Sequence, residues 1–357
     1  MAHANGPDPD HRRGGAYGLA AAALFGASAP LSKLLLPNTG PLVLSALLYL
    51  GAGVGLSLYR TLPGVRSRAL REAPLRRADA ALLGGIAALG GVVAPLLMLT
   101  GLARVSGLAG SLLLNLEAPF TILIAVVAFR EHLGRRAAAA ALLIVLGAAA
   151  LGAGLGELRA SWIGVLAIAG ACLCWAVDNN LSQRLSLRDP LAVVQVKTLG
   201  AGACTLAVVL AIGQPAPDLR AAGPALLLGS LSYGLSLILD MKALRVLGAA
   251  REAAYFATAP FLGALLSIPL LGDRPGPADA AAAGLMIAGV ALLRGERHRH
   301  AHTHEALEHD HLHEHDEHHP HEHDGPIAGP HAHPHRHERL THDHPHVPDL
   351  HHRHEHE

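Results

Sequence analysis

The chain has 357 residues, a formal net charge of zero, 51% hydrophobic residues and 16% charged ones. Of its 28 acidic residues 14 lie in 296–357, which leaves too few in the first 295 to cover a soluble surface. The charge balance supplies no field for nucleic acid. The three cysteines (Cys172, Cys174, Cys204) sit inside apolar runs and suggest no disulfide framework.

Residues 1–14 are polar, with Pro7, Asp8, Pro9, Asp10, Arg12 and Arg13, and read as a cytoplasmic leader rather than a signal peptide. Crossing the hydrocarbon core takes about 20 apolar residues. Ten such runs follow, near 16–36, 41–59, 79–101, 106–129, 136–154, 161–181, 190–212, 222–240, 247–270 and 277–293. Short joins carry helix breakers, as in Pro37-Asn38-Thr39-Gly40 and Gly272-Asp273-Arg274-Pro275-Gly276-Pro277. The runs are rich in Ala and Gly, which lets helices approach closely where lipid gives no hydrophobic drive to associate. With the N-terminus inside, 18 basic residues flank the inner ends of the runs and five the outer ends, so both termini are expected in the cytoplasm.

Residues 103–120 (ARVSGLAGSLLLNLEAPF) and 244–261 (LRVLGAAREAAYFATAPF) match at a shift of 141, pairing Arg104 with Arg245, Val105 with Val246, Pro119 with Pro260 and Phe120 with Phe261. Glu131 and Asp273 follow the two copies, and Gly40-Pro41 pairs more weakly with Asp189-Pro190. Five spans per repeat is an odd number, so the second copy lies inverted relative to the first, as in many secondary transporters. The stretch from Ala103 through Leu114-Asn115-Leu116-Glu117-Ala118-Pro119-Phe120-Thr121 to Arg130-Glu131, with Ala259-Pro260-Phe261 and Gly272-Asp273 as its counterpart, resembles EamA-type proteins of the drug/metabolite transporter superfamily. The resemblance covers roughly 15–295 and implies a secondary transporter of small metabolites, not an enzyme, with no cofactor required. The first span departs from the family pattern in having Phe25-Gly26 where the sixth has Cys174-Trp175.

The expected fold is therefore an all-α membrane protein of a bacterial inner membrane: leader 1–14, five-helix repeats at 15–156 and 157–295, and a disordered tail at 296–357. Expected partners are lipid and a small-molecule or ion substrate, with a homodimer as an option.

Ionisable groups inside a span are costly, about 2.5–3.5 kcal/mol each on insertion scales, and each is a site candidate. Glu117 lies mid-span between Asn115 and Pro119, as a proton-coupling or cation-binding carboxylate or as a packing acid with an internal partner. Asp178-Asn179-Asn180 spreads over about 200° of helix, so one or two of the three face a polar interior. Lys197 pairs with Glu117 or Asp178, or meets an anionic substrate. Arg251-Glu252 and Asp240-Met241-Lys242 read as interfacial helix ends, and Gly84-Gly85 and Gly90-Gly91 as packing positions.

The tail holds 23 of the 26 histidines, with candidate ligands His298, His300, His302, His304, His309, His311, His313, His315, His331, His333, His335 and His337. Imidazoles at this density suit Zn, Ni, Co or Cu. Low hydrophobicity and scattered prolines argue for disorder without metal. The competing readings are low-complexity drift and a pH-sensitive tail. Two functional alternatives to a metabolite transporter stand beside it: a divalent-metal transporter that collects or senses cargo on the tail, and a non-transporting membrane metal sensor. No span carries paired His and Asp ligands, which counts against the metal pathway.

Overall fold

The structure, a computed structural model, describes residues 9–294 apart from 70–71, 130–133, 155, 157, 159–160, 186–187, 216–217 and 248, and the tail segments 298–304, 307–313, 331–337 and 340–346. Leader residues 1–8 lie outside the described residues, as do Arg130, Glu131, His132, Glu157, Arg159 and His315. Lipid offers backbone groups no hydrogen-bond partner, so apolar runs of this length close their bonds internally as helices. In the first half these are α1 (Pro9–Gly26), α2 (Ser28–Arg60), α3 (Pro63–Ala69), α4 (Ala80–Ile86), α5 (Ala94–Leu102), α6 (Gly107–Leu113), α7 (Glu117–Phe129) and α8 (Arg135–Gly152). The second half has α9 (Trp162–Ser182), α10 (Pro190–Ala211), α11 (Leu219–Gly229), α12 (Ser236–Leu247), α13 (Ala249–Phe256), α14 (Ala259–Leu271) and α15 (Pro277–Arg294).

Among the described residues, eight helical stretches are long and apolar enough to cross a membrane, against ten expected runs. The difference has two sources. The first two runs join into one stretch of 48 residues, Arg13–Arg60, and the last, Pro277–Leu293, is shorter than the rest. The long stretch is not one straight rod. Gly40 has φ 70° and ψ 163°, outside helical values, and stands between Pro37 and Pro41, so the chain breaks where the sequence places a join. Large apolar side chains remain exposed around the bundle, among them Leu58, Val127, Ile163, Leu166, Leu210 and Leu265, each more than 60% accessible. Water would penalise such a surface and lipid would cover it.

The helices pack in pairs that exchange the two halves of the chain. α1 meets α12, as α9 meets α5; α1 meets α14, as α9 meets α7; α2 packs on α10, α6 on α14 and α8 on α15. Both motif copies are broken at the same place. A 3₁₀ turn at Leu114–Leu116 separates α6 from α7, and a turn at Ala257-Thr258 separates α13 from α14, just before Pro119 and Pro260 respectively. Small residues allow the crossings: a Cβ on Gly101 would lie 2.7 Å from the Gly164 carbonyl oxygen, and one on Gly164 3.2 Å from that of Gly101.

Polar clasps hold the loop ends. Arg60 pairs with Asp189 at 2.7 Å and Arg188 with Asp79 at 2.9 Å, while Asp189 also accepts from the N–H groups of Leu191 and Ala192 at the start of α10. Asp273 accepts from the N–H of Leu108 at 2.7 Å, capping α6 from the other half. Lys33 donates to the carbonyls of Leu102 (2.6 Å) and Val105 (2.5 Å), placing a cation at the C-terminal end of α5.

In the tail the described residues form β1 (His298–His304), β2 (Leu307–His313), β3 (His331–His337) and β4 (Leu340–His346), with β1 antiparallel to β4 and β2 to β3. Low hydrophobicity rules out a packed core, but His-x-His alternation is itself a period-two strand pattern, and a two-stranded ladder needs no core to satisfy that pattern.

Candidate functional site

Three helices from both halves bring the intramembrane charges together. Lys197, on α10, forms an ion pair with Asp178, on α9, whose side chain is 4% exposed against 18% for the lysine. One residue further along α9, Asn179 donates from Nδ2 to Oε1 of Glu117 at 2.6 Å. Glu117 opens α7 directly after the 3₁₀ turn and falls at the middle of the stretch Gly107–Ala128, within electrostatic reach of Asp178 and Lys197. Of the candidates named from sequence, Glu117, Asp178, Asn179 and Lys197 thus form one cluster. Asn115 is buried, but its amide donates to the carbonyl of Leu112 at the end of the preceding helix, α6, at 2.9 Å, and Asn180 back-bonds to Ala176 on its own helix.

The wall behind this cluster is an unusual stretch of helix. Residues Ala87–Val93 between α4 and α5 are π-helical, and Ser230–Leu235 between α11 and α12 are π-helical in the equivalent span of the other half. A π turn spaces its hydrogen bonds more widely than an α turn and is frequent at functional sites. Here the carbonyl of Gly90 accepts from Tyr49 Oη at 2.8 Å and from Trp175 Nε1 at 3.0 Å. A Cβ on Gly90 would run into the Asp178 carboxylate, so the glycine admits the acid against its backbone.

The second π segment meets its own aromatic neighbours. Tyr233 stacks edge-on against Phe25 with ring centroids 5.8 Å apart, and tilts over Tyr49 at 5.9 Å. Phe25 on α1 therefore meets the π segment of the second half, as Trp175 on α9 meets that of the first. The departure from the family pattern at Phe25-Gly26 falls at this contact.

Sequence reasoning missed Tyr49 and Tyr233, which no local signal distinguishes from ordinary span aromatics, and read Gly90 only as packing. It also read Asp240 and Glu252 as interfacial. Oδ1 of Asp240 and Oε1 of Glu252 are instead buried, with no hydrogen-bond partner among the described residues. Cys172 lies 3.7 Å from the carbonyl of Leu113 and 3.8 Å from that of Leu114, filling the space beside the 3₁₀ turn.

A cavity of about 620 Å³ opens beside the Gly40 break, lined by Asn38, Thr39, Gln214, Asp218 and Arg220 among others. The ion pairs Arg60–Asp189 and Arg188–Asp79 join the helix ends at the opposite ends of α2 and α10.

Comparison with known proteins agrees with this architecture. The EamA-like transporter family model matches twice, at residues 12–153 and 162–295, one match to each half. An uncharacterized transporter of Methanothermobacter thermautotrophicus is 31% identical over 291 residues, covering 77% of this chain and 84% of the relative. A solved crystal structure at 21% identity superposes with a TM-score of 0.56 over 79% of this chain and 97% of its own, which speaks for the fold alone. With both halves matched and their helices packed in exchange, the chain belongs to the EamA-like transporter family.

Proposed function

We propose that this membrane transporter moves a small metabolite by secondary transport through the polar centre where the halves meet. The reading takes Arg13–Arg60 as two spans divided at Gly40 and counts Pro277–Leu293 as the last, which makes ten spans and two inverted halves of five. The excess of basic residues at one set of loops then favours a bacterial inner membrane with both termini in the cytoplasm.

The observation that supports it best is the Glu117–Asn179 contact beside the Asp178–Lys197 pair. Transport requires groups that bind in one state and let go in another. The ion pair neutralises two charges that would otherwise be costly in lipid. Among the described residues the hydrogen-bond donor to the Glu117 carboxylate is the neutral amide of Asn179, so this acid is the group suited to take a proton or meet a cationic part of the solute. Widened helix on either side gives backbone that can re-pair as the halves rock. The tail adds a cytoplasmic binder of divalent metal, accessory to solute movement.

Flux in vesicles tests this directly. Solute and metal uptake are compared for the intact chain, a truncation after Arg294, and Glu117→Gln. Organic-solute flux should survive truncation and fall at least tenfold in Glu117→Gln. Metal flux that falls with either change would favour a metal transporter, and no flux of any solute would favour a sensor.

A further inference from the structure

The two π segments differ in what reaches their carbonyls. An α turn brings the N–H of residue i+4 to the carbonyl of residue i, and a π turn brings that of residue i+5. At the end of Ala87–Val93 the N–H of Ala94 goes to the carbonyl of Leu89. The next donor in line belongs to Pro95, which has no N–H. The Gly90 carbonyl is thus left out of the backbone ladder, in a buried position where an unpaired acceptor is costly. Two side chains fill the gap: Tyr49 Oη from α2 at 2.8 Å and Trp175 Nε1 from α9 at 3.0 Å. In Ser230–Leu235 the N–H of Ser236 likewise goes to Leu231, but the next residue is Leu237, which keeps its donor. Phe25, whose ring cannot donate, stands there in the place of Trp175.

We propose that Tyr49 and Trp175 are positioning residues for the charged centre. They replace the donor lost at Pro95, and in doing so they fix α2 and α9 to the first π segment at the level where Asp178 meets Lys197. Trp175 lies three residues before Asp178 on α9, so the two are neighbours on one side of that helix. Gly90 is also the residue whose missing Cβ admits the Asp178 carboxylate. One backbone unit therefore holds the indole through its carbonyl and receives the acid at its Cα. Lys197 stands on α10, which packs on α2 and on the same π segment. The half with the proline carries the donor side chains, and the half without it carries Phe25. The inference rests on the transport reading of this centre and goes further, assigning the register of its helices to a single carbonyl.

The test reads hydrogen bonding and stability of the purified full chain rather than flux, so it fails separately from the transport reading. The chain has two tryptophans. With Trp162→Phe, the indole signal left in a proton–nitrogen correlation spectrum belongs to Trp175. That signal should exchange slowly in heavy water and should shift on Tyr49→Phe, since the two donors share one acceptor. Trp175→Phe and Tyr49→Phe should each lower the melting midpoint slightly, because one donor remains. Together they orphan the carbonyl and should lower it by more than the sum of the two. Pro95→Ala returns a backbone donor, so in that background the excess should shrink to less than half. Asp178→Asn should also cost less once both aromatic donors are gone, because the acid is no longer held in register with Lys197. An indole that exchanges like a solvent-exposed one overturns the proposal. So do additive losses that Pro95→Ala leaves unchanged, which would mean that the two rings act by packing.

Discussion

Asp178 and Lys197 carry the clearest energetic consequence of any residues in the bundle. Each is largely withdrawn from solvent and each is the other's ion-pair partner. Removing one leaves a buried charge uncompensated, which typically costs about 3–5 kcal/mol, whereas removing both leaves none. Asp178→Asn and Lys197→Met should each lower the melting midpoint of the detergent-purified protein, and the double substitution should recover most of the loss. Solute flux should stay low in the double variant, since restored stability does not restore the charged centre. Recovery of flux along with stability would show the pair to be structural only. Asn179 allows a finer distinction. Asn179→Leu keeps the carboxylate of Glu117 but removes its 2.6 Å donor, so flux should fall while the Asp178–Lys197 pair and the melting midpoint are little changed.

At the scale of the helix, the π segments are the elements that ordinary span-forming physics does not require. Gly90 is the sensitive point of the first, because a methyl group there meets the Asp178 carboxylate, while one on Gly84, a turn and a half earlier in the same span, meets nothing within 4 Å. Overpacking of this kind costs about 1–3 kcal/mol. Gly90→Ala should therefore reduce flux at least tenfold, and Gly84→Ala should leave it within about twofold, in the same vesicle assay. The contrast also shows what could be read in advance. Apolar length marks the spans, proline marks the breaks at Leu114–Leu116 and before Pro260, and an acid inside an apolar run marks Glu117 and Asp178. A widened turn leaves no such mark, because the same Gly, Ala, Leu and Val residues build α and π turns alike. The partners of Gly90, Tyr49 and Trp175, come from other helices, 41 and 85 residues away. Only packing brings them there. Asp240 and Glu252 look interfacial by their place in the sequence, yet Oδ1 of the one and Oε1 of the other are buried.

For the whole molecule, the main division is between a helical bundle and the tail that follows α15. Within the bundle, every span of one half leans on a span of the other, so neither half has a complete set of buried faces alone. The tail strands pair with one another, β1 with β4 and β2 with β3. A chain ending at Arg294 should consequently insert, purify and melt within a few degrees of the full protein, whereas a chain ending near residue 156, with one half alone, should not yield a monodisperse folded species. Adding zinc should raise the protease resistance of residues 298–346 in the full chain while leaving the bundle's melting midpoint unmoved, because the histidines that would take the metal follow the last helix. A zinc-induced rise in the bundle's midpoint that is absent from the truncated chain would instead mean that the tail docks on the helices, and metal on the tail would then bear directly on transport.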